Sequence, residues 1–172
     1  MKIKTVLLTM IVYSVLFIFL PLFFAQINKS LGLPVYSLGV LKTVGVILFI
    51  GAVGVISHCF EVFIKLGRGT PAPTDPPQVL VVQGIYKYTR NPMYIAYILI
   101  WCGEFLIFGQ LLLAMYAFIQ TIIFYLGVVF IEEKYLGDRF GQLYHDYCAK
   151  VPRWLIGSVN LPLRPGTPRR LS

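Results

Sequence analysis

The chain has 172 residues, 58% of them hydrophobic and only 13% charged, against roughly a quarter charged in an ordinary soluble domain, and its mean hydropathy is +0.77. This composition excludes a soluble globular domain and points to an integral membrane protein. A formal charge of +8 then reports topology and contact with anionic lipid head groups rather than nucleic acid, and three scattered cysteines without CxxC spacing imply neither a disulfide framework nor a metal site.

Residues 6–25 form an uncharged apolar run long enough to span a bilayer, preceded by Lys2 and Lys4. A cleaved signal peptide competes with that reading, but the apolar core is too long and no small-residue cleavage site follows, so the run reads as a retained helix. A polar turn at 28–34 leads into a second run, 38–66, where Gly39, Gly45, Gly51, Ala52 and Gly54 offer close helix packing. The stretch "GRGTPAPTDPP", 67–77, holds four prolines and is a loop. Two further apolar segments, 93–108 and 111–131, are joined only by Gly109 and Gln110, the signature of an antiparallel helical hairpin. The first of them is barely long enough to cross.

Beyond the fourth span, Leu136, Phe140, Leu143, Tyr144 and Tyr147 recur at helical spacing among polar residues, which predicts an amphipathic helix against the cytosolic face. The fold expected is all-α: about four transmembrane helices plus a cytosolic juxtamembrane amphipathic helix. A single domain covers 1–172, with two spans in 1–66, a motif region in 67–154 and a basic tail in 155–172. Thirteen Lys and Arg fall on one side of four spans and two, Lys29 and Lys42, on the other. The positive-inside rule places both termini and the proline-rich loop in the cytosol.

Three constellations carry candidate chemistry. In "GIYKYTRNPMYIAYILIW", Asn91 and Pro92 form a good helix start, with the N–H groups of Met93 and its successors free to hold an anion. Arg90, Tyr94, Tyr97 and Trp101 follow at helical spacing, a stripe that an interfacial anchor would also show. In "FIEEKYLGDRFGQLYHDYCAKVPRW", the adjacent acids Glu132 and Glu133 stand where a span leaves the bilayer and ask for a cation. Adjacent helical residues point about a third of a turn apart, so one acid can face inward while the other faces solvent. His58, Glu61 and Lys65 share one face of the second span; Glu61 with Lys65 reads either as a functional acid or as an ordinary helix ion pair. Glu104, deeper in the third span, is either protonated or paired with a neighbouring helix.

The ordered set Gly84 and Tyr86; Arg90, Pro92 and Tyr94; Glu132 and Glu133; Phe140, Gly141, Tyr144 and Tyr147; and Pro152 resembles the membrane-embedded isoprenylcysteine carboxyl methyltransferase and phospholipid methyltransferase family. The resemblance covers about 67–154, and the proline-rich loop resembles that of a bacterial subgroup, implying a bacterial-type inner membrane. Asn91 stands where the family usually has His, so a role for a titrating imidazole does not carry over. The resemblance implies S-adenosylmethionine as cofactor and no metal. Arg90 and the helix start at Asn91, Pro92 and Met93 suit its carboxylate, and Glu132 or Glu133 suits its ammonium. Tyr86, Tyr94, Tyr144 and Tyr147 suit its sulfonium and adenine.

Arg90, Glu133 and Glu61 are the implied catalytic residues, and His58, Glu61, Arg68, Tyr97 and Arg153 the implied contacts to a lipid-like acceptor within the bilayer. An isoprenylcysteine-type carboxylate acceptor needs only a cation such as Arg68 or Arg153. A phospholipid amine needs a base such as Glu61 or one of the glutamate pair. A non-catalytic membrane scaffold or lipid-binding protein would explain the spans and the basic tail, but not the acids and tyrosines at the cytosolic mouth.

Overall fold

The computed structural model describes residues 3–67 and 77–154. Those residues are mostly helical, and their single β pairing is an isolated antiparallel bridge between Val35 and Gln110. The elements are α1 (Ile3–Ser14), which runs through a π-helical turn (Val15–Phe19) into α2 (Leu20–Ser30); α3 (Leu41–Val62), extended by the π-helical turn Phe63–Gly67; and a 3-10 turn, Gly84–Lys87. Then come α4 (Pro92–Phe108), α5 (Leu111–Gly127), the π-helical turn Val128–Glu132, α6 (Glu133–Phe140) and α7 (Gln142–Lys150). Three continuous helical stretches, Ile11–Ser30, Leu41–Gly67 and Leu111–Phe140, are long and apolar enough to cross a membrane, and Pro92–Phe108 is a shorter apolar helix. The protein is an all-α membrane protein. Pro92 opens α4 as expected of a residue that lacks the N–H a first turn cannot use.

The amphipathic segment differs from expectation. α6 continues from α5 through the π-helical turn, and Gly141, at φ 55° and ψ −131°, separates it from α7. That backbone conformation is closed to residues with a Cβ, so a helix breaks where the sequence places glycine inside an otherwise helical pattern.

The chain divides into two compact units. The first takes in the described residues up to Val55 together with Ala96–Phe124. Its core is aromatic: Trp101, 1% exposed, stacks on Phe17 at 5.3 Å between ring centroids and contacts Phe124 at 5.2 Å. Tyr97 packs on Phe17, and its hydroxyl meets that of Tyr13. Asn28, predicted to lie in a polar turn, is completely buried. Its Nδ2 donates to the carbonyls of Leu33 and Pro34, and its Oδ1 accepts the backbone N–H of Leu112. Of the small residues of α3, Gly45 makes the close approach: a Cβ there would sit 2.8 Å from the carbonyl oxygen of Gly103, whereas Gly51 and Gly54 face open space. Glu104 is buried, with Oε2 lacking a hydrogen-bond partner.

The second unit takes in Ile56–Ile95 and the described residues from Tyr125 onward. Leu80, Val82, Phe140, Tyr144, Tyr147 and Val151 form its core. The backbone N–H groups of Gln78 and Val79 donate to the carbonyl of Gly67, so the chain returns beside the residue at which α3's extension ends.

Candidate functional site

The start of α4, the junction of α5 with α6, and the segment after α7 meet within the second unit. The backbone N–H of Arg90 donates to the carbonyl of Pro152 at 3.0 Å. The Thr89 hydroxyl and Asn91 Nδ2 both donate to the carbonyl of Arg153, each at 3.1 Å. Asn91, Thr89 and Met93 are buried. The amide group of Asn91 therefore ties two segments together, and Pro92 sets the helix that carries Tyr94.

The charged groups converge on this frame. Glu133 accepts from Arg153 Nε on Oε1 and from Arg153 Nη2 on Oε2, each at 2.7 Å, and Arg90 Nη1 adds a bond to Oε1 at 2.9 Å. Arg90 Nη1 also lies 2.8 Å from Cys148 Sγ, while Arg90 Nε is buried without a partner. Glu132 accepts from the Tyr94 hydroxyl on Oε2 at 2.5 Å, and its other oxygen takes no hydrogen bond from the described residues. Both acids are therefore engaged by side chains of the protein, and Arg153 covers both oxygens of Glu133.

Aromatic residues line the same unit. Tyr86, Tyr144 and Tyr147 are buried, and the Tyr147 hydroxyl donates to the carbonyl of Tyr86 at 2.7 Å. Burial pushes all three phenols above the ordinary tyrosine range, and for Tyr147 the neighbouring Arg90 partly offsets it. They stay neutral, so the Tyr147 hydroxyl keeps the proton it donates to Tyr86. The hydrogen bonds to Glu133 hold the Arg153 guanidinium above its usual range.

The remaining predicted residues are placed elsewhere or are otherwise engaged. His58, Glu61 and Lys65 form an exposed ladder on α3 and its extension, with Glu61 bonded to Lys65 and 3.9 Å from His58. Tyr97 belongs to the aromatic core of the first unit, as does Trp101, so the expected stripe along α4 is half core packing. Arg68 lies outside the described residues, as do most of the proline-rich loop and the basic tail. Thr89 and Cys148 went unread in the sequence as parts of this cluster. The only signal for them was position, Thr89 directly before Arg90 and Cys148 directly after Tyr147.

These arrangements can be set beside known proteins. The phospholipid methyltransferase family profile matches residues 40–143, a stretch that includes Arg90, Tyr94, Glu132 and Glu133. The Protein-S-isoprenylcysteine O-methyltransferase of Schizosaccharomyces pombe (strain 972 / ATCC 24843) is 32% identical over 81 residues. That match covers 43% of this chain, and the chain spans about a third (31%) of that relative's length. No solved structure matches the chain. With the profile covering more than half of its length, including both acids and the helix start, the chain belongs to the phospholipid methyltransferase family.

Proposed function

We propose that this protein transfers a methyl group from S-adenosylmethionine to a lipid-like acceptor at the cytosolic membrane face, with an isoprenylcysteine-type carboxylate as the acceptor. The observation that carries the reading is a pair of opposite charges in one unit, each with an open hydrogen-bonding position: a buried, partnerless N–H on Arg90 and a carboxylate oxygen of Glu132 that takes no hydrogen bond from the described residues. Burying the Arg90 N–H without a partner costs about 1–3 kcal/mol, which a ligand carboxylate would offset, while a ligand ammonium would take the open oxygen of Glu132. S-adenosylmethionine is such a ligand, and when bound it supplies an electrophilic methyl group on a sulfonium.

The chain's own residues then have separate tasks. Arg90 Nε meets the donor's carboxylate. Glu132, held by Tyr94, meets the ammonium through a charge-assisted bond. The rings of Tyr86, Tyr144 and Tyr147 offer faces to the sulfonium and adenine. A carboxylate acceptor is already ionised near neutral pH, so orientation against the methyl group supplies most of what the chemistry needs. The excess of Lys and Arg on one side of the spans orients this site toward the cytosol, and the basic residues favour anionic lipid head groups there. The similarity to the fission-yeast O-methyltransferase supports the carboxylate acceptor.

Purified protein incubated with isotopically labelled S-adenosylmethionine and a total lipid extract, followed by mass analysis, tests the proposal. Label on an isoprenylcysteine carboxyl group is the expected result. Label on phosphatidylethanolamine keeps the methyltransferase and replaces the acceptor. Absence of any label, together with absence of S-adenosylhomocysteine binding by calorimetry, leaves a non-catalytic membrane protein.

A further inference from the structure

Arg153 was expected to face the acceptor, yet its guanidinium closes both oxygens of Glu133, through Nε and Nη2 at 2.7 Å each. This planar fork is seated from behind. Its own carbonyl accepts Thr89 and Asn91, the preceding carbonyl accepts Arg90, and the following residue, Trp154, stacks on Tyr125 at 6.0 Å. Val151, 1% exposed, anchors the segment in the core. The segment is thus fixed at both ends, and Arg153 meets Glu133 at little entropic cost because a rigid fork loses less freedom per bond than a flexible cation.

Glu133 is in turn the anion nearest Arg90, bonded to Nη1 alone at 2.9 Å. A carboxylate with one neighbour removed swings toward the donors that remain. Without Arg153, Glu133 is free to move onto the second edge of Arg90 and take Nε, the N–H that is now buried without a partner.

We propose that Arg153 is a positioning residue of the methyl-transfer site: by closing both oxygens of Glu133 it keeps Arg90 Nε available to the donor's carboxylate and leaves Glu132 as the acid for the ammonium. This inference rests on the function proposed above. It assigns Arg153 to the donor side of the reaction through Glu133, with no contact to the acceptor.

The test is calorimetric binding of S-adenosylhomocysteine to the full chain in detergent, with methyl-transfer kinetics alongside, for the unmodified protein, Arg153→Gln, Arg153→Lys, Glu133→Gln and the double variant Arg153→Gln/Glu133→Gln. Arg153→Gln is expected to weaken binding about tenfold, the scale of one charge-assisted hydrogen bond. Arg153→Lys should not rescue it, because one ammonium cannot close two carboxylate oxygens. The double variant should bind within about twofold of Glu133→Gln alone, since with no carboxylate to restrain Arg153 has nothing left to do. That comparison stands even if Arg153→Gln folds poorly, because the double variant leaves no unmatched acid. Effects that add in the double variant overturn the proposal. So does an Arg153→Gln enzyme whose KM rises for the acceptor while donor binding is unchanged. An unmodified protein that fails to bind S-adenosylhomocysteine overturns the methyltransferase reading itself, and is told apart from the other outcomes because it appears before any substitution is made.

Discussion

Glu132 and Glu133 carry the same charge one residue apart and meet different partners, a hydroxyl for the first and two guanidinium groups for the second. Their replacements should therefore separate. Glu132→Gln is expected to lower S-adenosylhomocysteine affinity about tenfold or more while leaving the unfolding temperature in detergent nearly unchanged. Glu133→Gln leaves two arginines facing each other and should lower stability by about 1–3 kcal/mol. Calorimetry and thermal unfolding on the same preparations check both. The gathering of Arg90 with the acids was legible in the sequence because a helix start and a span end each displayed unmatched charge. Asn28 was not legible as a core residue. A lone Asn in a polar turn looks the same whether its amide meets water or, as here, three backbone groups of two segments. Thr89 escaped for the same reason.

At the level of elements, the helices and most of their starts were legible because hydropathy and length decide them, whereas two ends were not: the first apolar helix runs on to Ser30, into the expected polar turn, and the last apolar helix runs unbroken to Phe140. α4 begins at the Pro92 that marked its start, and α5 begins after the two-residue joint. What the sequence could not tell was which glycine of α3 meets a neighbour. Four small residues there read alike, and only the neighbouring helix distinguishes them. Gly45 faces the carbonyl oxygen of Gly103 at 2.8 Å from where a Cβ would stand, and Gly51 meets nothing. Gly45→Ala should lower the unfolding temperature because backbone cannot yield. Gly51→Ala should raise stability by roughly 0.5–1 kcal/mol, through the restricted freedom of the unfolded chain. The opposite signs are the measurable outcome, and equal effects would contradict the packing. The break at Gly141 illustrates a second limit: periodic apolar residues ran through it unchanged, and glycine's access to positive φ decided otherwise.

For the whole molecule, three buried phenols are expected to weaken stability at alkaline pH. Tyr86, Tyr144 and Tyr147 are raised above the ordinary value of 10.0, chiefly by burial. The folded state therefore keeps protons that the unfolded chain gives up above that pH. Stability is greatest below it and falls as pH rises toward the folded values. Unfolding in detergent between about pH 9 and about pH 11 should show that decline, and Tyr147→Phe should make it shallower. A last consequence concerns the π-helical turn Val128–Glu132, where the backbone N–H of Glu133 reaches the carbonyl of Val128. Such a turn takes up one residue more than an α-helical one, so consecutive side chains fan out by less than the roughly 100° of an α-helix, and two carboxylates can look the same way. Deleting the outward Ile131 would rewind this rod as plain α-helix, keep Glu133 in phase with Val128 and widen the angle to its neighbour: a shorter chain of unchanged charge, still folded, with its two acids splayed further apart.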